Sequence, residues 1–373
     1  GQGEMDMAGF LAPILATGYR GPLSLEIFND CFRAAPTRQN AADGLRSLLY
    51  LEEQTRLRLE QENTPIEPGV LFSPPPASAY DGVEFLEFAV DEAVGARLGN
   101  WLKRLGFAEA GKHRSKEVQL LRQGDINIVL NAEPYSFGHN FFEAHGPSLC
   151  ATALRVKDQQ AALKRATAFR GQPFRGLVGP NECEVPAVRA PDGSLLYLVE
   201  QGTAGHTLYD TDFSLDNNAT ATGGLRRIDH MALALPAESL DSWVLFYKSL
   251  LDFEADDEVV LPDPYGLVKS RALRSRCSSV RLPLNISENR NTAIAHALSS
   301  YRGSGVHHIA FDCDDIFREV ARAKLAGVPL LEIPLNYYDD LAARFDFDDE
   351  FLSELAYYNV LYDRDAQGGE LFH

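Results

Sequence analysis

Apolar positions along this chain fall into three stretches with different spacing. In residues 1–57, an apolar run around Phe10–Leu15 has helical spacing and stops at Gly18-Tyr19-Arg20-Gly21-Pro22, a turn signal. Leu23–Phe28 (LSLEIF) predicts a buried strand, and Leu45, Leu48, Leu49 and Leu51 mark one face of a following helix. Helix, turn, apolar strand and helix is the unit of an α/β architecture with parallel strands. One such unit cannot cover both faces of its own strand, so it predicts the last piece of something larger. Residues 58–81 carry Thr64-Pro65, Glu67-Pro68 and Pro74-Pro75-Pro76, and proline at this density predicts an extended linker.

The stretches at residues 82–200 and 224–373, joined by a Gly/Thr/Asn-rich connection at 201–223, repeat each other. VEFLEFAV at Val83–Val90 matches IDHMAL at Ile228–Leu233 with Glu87 laid on His230. Each of these strands leads into an amphipathic helix. Val94, Leu98, Trp101, Leu102 and Leu105 form one apolar stripe, and Leu240, Trp243, Val244, Tyr247 and Leu251 form the other. A second pair, Leu149–Asp158 on Val306–Asp315, aligns without gaps and sets Ala151 opposite His308. Short alternating strands lie between, at Val118–Leu120, Ile126–Leu130 and Val280–Leu284. The pattern predicts an α+β fold of four strand–helix–strands modules, two per half.

The chemistry follows from the repeat. His230 and His308 occupy corresponding places in their modules, so the fold can bring them together. Two imidazoles and a carboxylate on one face are the ligand set of non-haem Fe(II) oxygenases. A lone histidine in an apolar strand is ordinarily a satisfied core residue, and it is the repeat-equivalent placing of two that favours a site. The matching positions of the other half, Glu87 and Ala151, cannot bind a metal the same way, so that half is expected to be structural. Alternation turns His307 to the face opposite His308.

Composition narrows the function. A formal net charge of −18 over 373 residues argues against nucleic acid and anionic membrane surfaces, which need clustered Lys and Arg. No apolar run reaches the roughly 18 residues of a membrane span, and no charged-then-apolar leader opens the chain. Five scattered cysteines without a C-x-x-C pair predict reduced thiols in a cytoplasmic protein, most of them core filler; the small-molecule substrate is implied by the family resemblance below. A homo-oligomer is compatible with this. The chain starts at Gly1 and stops at His373 inside a strand-like GGELFH, so a fragment cut at both ends is expected.

The residues Arg227-Ile-Asp-His-Met-Ala, Ser279-Val-Arg-Leu-Pro-Leu-Asn285, Gly305-Val-His-His-Ile-Ala-Phe and Gly369-Glu-Leu-Phe-His373 resemble the catalytic half of the 4-hydroxyphenylpyruvate dioxygenases. The resemblance implies duplicated vicinal-oxygen-chelate (βαβββ) modules forming two half-barrels. It implies His230 and His308 as ligands of Fe(II) or another divalent ion, and Asn285 and His373 as substrate-pocket positions. Two departures stand out: His307 replaces a glutamine, and the family's third ligand, a glutamate, lies one hairpin beyond His373. Glu370 is the nearest substitute, although the family register makes it a strand residue.

Gly18-Tyr-Arg-Gly-Pro-Leu-Ser-Leu-Glu-Ile-Phe-Asn-Asp30, with Phe32-Arg33 and Asp43-Gly-Leu-Arg-Ser-Leu-Leu, resembles the last strand and helix of a sugar-phosphate-isomerase-like TIM barrel. There Glu26 corresponds to one of four ligands of a divalent metal, Mg, Mn or Co, at the mouth where barrel active sites lie. An acidic side chain inside LSLEIF is costly to bury unless a cation or partner meets it. A barrel fused through a proline-rich linker to such modules resembles the long bacterial 3-dehydroshikimate dehydratases, which convert 3-dehydroshikimate to protocatechuate in quinate and shikimate breakdown. Three functions are thereby expected of the intact protein: that dehydratase, an Fe(II) 2-oxo-acid dioxygenase, or a binding or oligomerisation domain with a vestigial metal site. The resemblance assigns no general base or acid in this chain.

Overall fold

The computed structural model describes residues 5–65, 67, 69–200, 206–364 and 368–373. The first region is helical: α1 (Met7–Ala16), α2 (Asp30–Ala34) and α3 (Thr37–Gln61). The expected strand at Leu23–Phe28 is not one. The segment is extended, but no strand among the described residues lies beside it, and a parallel strand exists only through its neighbours' hydrogen bonds. Between the end of α3 and residue 80 the proline-rich segment likewise carries no helix or strand among the described residues, yet it is fastened down. Phe72 N–H donates to Glu52 at 2.7 Å, and the Phe72 ring meets Phe169 edge-on at 5.3 Å.

The first half runs β1 (Tyr80–Ala89), α4 (Glu92–Arg104), β2 (Ala108–His113), β3 (Val118–Gln123), β4 (Ile126–Asn131) and α5 (Phe137–His145). It continues with β5 (Ser148–Val156), α6 (Gln159–Ala168), β6 (Gln172–Phe174), β7 (Ala187–Arg189) and β8 (Leu195–Glu200). These are two βαβββ modules sharing one sheet, in which β1 and β5 pair antiparallel at the centre. After α7 (Leu208–Asp212), β9 (Phe213–Leu215) adds an edge beside β2.

The second half opens with β10 (Leu225–Leu235), α8 (Leu240–Leu251), β11 (Glu254–Ala255), β12 (Val259–Asp263), β13 (Gly266–Arg274) and β14 (Arg281–Ile286). Then come α9 (Ala293–Tyr301), β15 (Gly305–Cys313), α10 (Ile316–Leu325), α11 (Leu335–Arg344), α12 (Asp349–Tyr358), β16 (Tyr362–Arg364) and β17 (Glu370–Phe372). Strands β13-β14-β10-β15 reproduce the order β3-β4-β1-β5 of the first half. The repeat then breaks. Where β8 lies parallel to β5, no described strand flanks β15, and β16 and β17 pair only with each other. No described helix is long and apolar enough to cross a membrane.

One large core joins the pieces. It takes Leu86, Ile128 and Leu154 from the first sheet, Met231 and Leu284 from the second, and α8 between them. Trp243 is 1% exposed, and every position of the predicted α8 stripe is buried. The α4 stripe is buried less evenly: Leu102 faces the core, while Trp101 is largely on the surface. Helix α3 joins the core through Tyr50 and is held by a buried ion pair, Arg165 to Glu53, with two contacts at 2.8 and 2.9 Å. Arg165 also donates to the Pro75 carbonyl at 3.1 Å, so a single guanidinium ties α3, the proline-rich segment and α6 together.

Two stability predictions follow from these buried charges. Arg165→Met should destabilise the fold by about 3–5 kcal/mol, because it strands the Glu53 carboxylate in the core, while Glu53→Leu with Arg165→Met should recover most of that loss. Urea unfolding of the three proteins checks it. Burial also raises the pKa of Glu87, so the folded state holds a proton that the unfolded chain releases. Native stability should therefore fall as pH rises from the unfolded carboxyl value of about 4.3 toward the raised folded value. Glu87→Gln should remove that fall, with little difference from the parent at lower pH, as measured by unfolding midpoints across pH 3.5–8.

Candidate functional site

The site is built on the central ladder of the second half. β10 and β15 pair antiparallel with His230 opposite Ala310 and Ala232 opposite His308. The register slips by one between Ile228 and His230, which leaves Asp229 as an unpaired bulge residue. In a regular strand neighbouring side chains would leave on opposite faces. The bulge instead lets Asp229 and His230 border the same cavity, which His308, His373, Phe311 and Arg281 also line. This cavity has a volume of about 950 Å³.

Within it the two imidazoles converge, with His230 Nε2 3.4 Å from His308 Nε2 and the rings edge to face at 5.5 Å. Asp229 takes His230 Nδ1 at 2.8 Å, and Arg281 reaches the other oxygen of the same carboxylate at 3.4 Å. A carboxylate on Nδ1 keeps the proton there and turns the Nε2 lone pair toward His308. Two nitrogens 3.4 Å apart, each about 2.0–2.1 Å from a common cation, subtend roughly 110° at it, an ordinary angle between neighbouring ligands. Partial burial and the nearby His307, His230 and His373 rings hold the His308 pKa down at about 4, so its ring is neutral and its lone pair available at physiological pH.

The remaining expected residues are distributed as follows. His373, just past β17, lines the cavity, and its pKa is lowered by burial and by His230. Asn285 lies on β14 two positions beyond the cavity-lining Pro283 and is itself buried outside the lining. His307 is off the cavity wall, as alternation requires, but its Nδ1 contacts His308 Nδ1 at 3.0 Å. Glu370 is committed elsewhere, to Arg364 and the Tyr362 hydroxyl, both at 2.7 Å. Among the described residues no cluster of three or more His, Cys, Asp or Glu side chains could hold a metal, so the pair has no third ligand there. Glu26 sits apart, exposed on the unpaired segment 23–28.

One sequence alignment needs correction. The bulges place Val83 and Ile228 at matching points, so the residue equivalent to His230 is Phe85, and Glu87 corresponds to Ala232. A shift of two residues preserves the alternation of faces, so a strand pattern cannot detect it; only the position of the bulge decides. The pairing of Ala151 with His308 holds. With Phe85 and Ala151 in place of the histidines, the first half offers no metal-binding nitrogen at this point. Sequence reasoning missed Asp229, because only the bulge brings it to the face of its neighbour.

Comparisons with known proteins agree with this architecture. Residues 75–214 match the N-terminal domain family of hydroxyphenylpyruvate dioxygenase, and residues 227–354 match the glyoxalase/bleomycin resistance protein/dioxygenase superfamily. A 3-dehydroshikimate dehydratase of Pseudomonas putida is 98% identical over all 373 residues, which make up 59% of that relative's length. A solved xylose isomerase-like TIM barrel/4-hydroxyphenylpyruvate dioxygenase fusion protein is 96% identical with a TM-score of 0.90, and this chain covers 59% of it. A 4-hydroxyphenylpyruvate dioxygenase of Pseudomonas aeruginosa is 35% identical over 291 residues, 76% of this chain and 80% of that enzyme. The chain thus spans about three-fifths of the length of its near-identical relative and most of the length of the dioxygenase. On its sheets, its paired histidines and these matches, the chain belongs to the 4-hydroxyphenylpyruvate dioxygenase family.

Proposed function

We propose that this chain is part of a metal-dependent 3-dehydroshikimate dehydratase, which removes water from 3-dehydroshikimate to give protocatechuate. The observation that carries this reading is the 98% identity, over the whole chain, to a protein of that name. The extended segment 23–28 supports it. Leu25 and Phe28 are exposed and the backbone has no ladder partner among the described residues, as suits a strand that pairs when flanking barrel strands are present. Glu26 then contributes one carboxylate to a divalent cation, Mg, Mn or Co, at the barrel mouth. Bound there, the cation supplies Lewis-acid polarisation of the substrate carbonyl. In a protein of the relatives' full length, Glu26→Ala should lower the rate of protocatechuate formation by about a hundredfold or more, followed by ultraviolet absorbance. Near-normal turnover would remove Glu26 from the site and this reading's structural support with it.

The second reading assigns the 950 Å³ cavity its own chemistry, that of an Fe(II) 2-oxo-acid dioxygenase. The 3.4 Å convergence of His230 and His308 favours it. The two imidazoles would hold Fe(II) or another divalent ion, Asp229 would fix the ligand tautomer, and His373 on the wall would meet the substrate, while Asn285 lies buried behind the lining. With two ligands in place, Co²⁺ should bind this chain weakly and His308→Ala should abolish binding. Asp229→Ala should weaken it about tenfold or more by releasing the His230 ring, and an unchanged titration would deny Asp229 that role. In an iron-loaded protein of the relatives' full length, oxygen uptake with 4-hydroxyphenylpyruvate tests this reading, and complete inertness there ends it.

A further inference from the structure

The first half has lost the histidines but kept a cavity. Against its sheet lies a space of about 180 Å³ with Glu87, Phe85, Val129 and Tyr197 among its lining residues. Glu87 is 8% exposed, and one of its oxygens accepts from Asn131 Nδ2 at 2.7 Å. The Asn131 amide cannot swing away, because its own oxygen accepts from the Glu133 N–H at 2.9 Å. The buried thiol of Cys150 donates to the Glu87 backbone carbonyl at 3.4 Å. Burial raises the Glu87 pKa, and the side chain itself lines the cavity.

The walls are aromatic, with Phe85 and Tyr197 at 5.7 Å between ring centroids and Phe213 on another side. The segment 176–185 forms the roof and is tied at both ends. Lys116 pairs with Glu182 at 2.7 Å and donates to the Leu177 carbonyl at 3.4 Å, while Cys183 N–H donates to Asp212 at 2.9 Å. Against the effect of its own burial, Lys116, Ser115 and the Gly179 N–H bring the Glu182 pKa down to about 2, so the one nearby ammonium is already neutralised by a carboxylate.

Size and charge together select the ligand. A cavity of about 150 Å³ lined by apolar side chains accommodates benzene, so a space of this volume admits one ring. A carboxylate ligand would meet Glu87 and Glu182, while Lys116 is already paired and burial holds His113, the other basic side chain of the lining, toward its neutral form. A hydroxyl, by contrast, can donate to or accept from the Glu87 carboxyl. We propose that the first half-barrel is a second small-molecule site, for an uncharged single-ring phenol whose ring lies against Phe85, Tyr197 and Phe213 and whose hydroxyl bonds to Glu87. This site is independent of the dehydratase reading and of the His230/His308 cavity.

The test is ¹⁹F NMR titration of this chain with 4-fluorophenol. Saturable binding is expected, unchanged by His230→Ala with His308→Ala, which alter the other cavity. Val129→Phe, which fills the space, should abolish it. Glu87→Leu should weaken it about fivefold to tenfold through the lost hydrogen bond, and Glu87→Gln, which still donates and accepts, should keep affinity within about twofold. 4-Fluorobenzoate should bind at least tenfold more weakly than the phenol (about 1.4 kcal/mol). The proposal is overturned by absence of saturable binding, by its loss in the double histidine variant, or by its survival in a folded Val129→Phe protein. Tighter binding of the benzoate would overturn it too. If Val129→Phe fails to fold, the Glu87 pair decides, and equal affinities of Glu87→Leu and Glu87→Gln overturn it.

Discussion

The antiparallel ladder of β10 and β15 is the constraint on which the second half depends. It joins the opening strands of two modules 78 residues apart at the histidines, and its register decides which side chains share a face. Because side chains alternate, a slip of one residue would send His308 to the face opposite His230. The bulge at Asp229 adds a feature no regular strand could provide, a carboxylate beside the ring it orients. The same ladder geometry, with a bulge at Glu84, recurs in β1 and β5. There the bulged carboxylate pairs with Arg155 at 2.7 Å, so one backbone device serves an ion pair in one half and a histidine in the other.

Divergence between the halves is therefore a matter of a few side chains on a shared frame. Phe85 replaces His230, Ala151 replaces His308, and Asn131 occupies the ladder position of Asn285 beside Ala89 as Asn285 does beside Ala234. The first half closes over a small aromatic space, whereas the second keeps a wide cavity beside β15, whose outer edge meets no strand among the described residues. The two are coupled mechanically through α6 and α8, with Trp243 and Leu250 almost wholly buried between the sheets. The leading region is fixed to the same body by Arg165 and Arg46. Arg46 pairs with Asp43 and donates to the Phe169 carbonyl at 3.0 Å, so α3 is part of the packed structure.

Sequence alone determined the duplication, the order of strands and helices in the first three modules, and the pairing of Ala151 with His308. Those features rest on period-2 and period-3.6 patterns that burial imposes locally. It also marked His230 and His308 as partners, since repeat-equivalent positions meet when modules share a sheet. What it left open, tertiary structure decided. The offset between VEFLEFAV and IDHMAL is invisible to alternation and is set by the bulges. The strand expected at Leu23–Phe28 depends on neighbours that its own residues cannot supply. The role of Asp229, the commitment of Glu370 to Arg364, and the buried acid at Glu87 arise from contacts between segments far apart in the chain. Only folding brings those segments together.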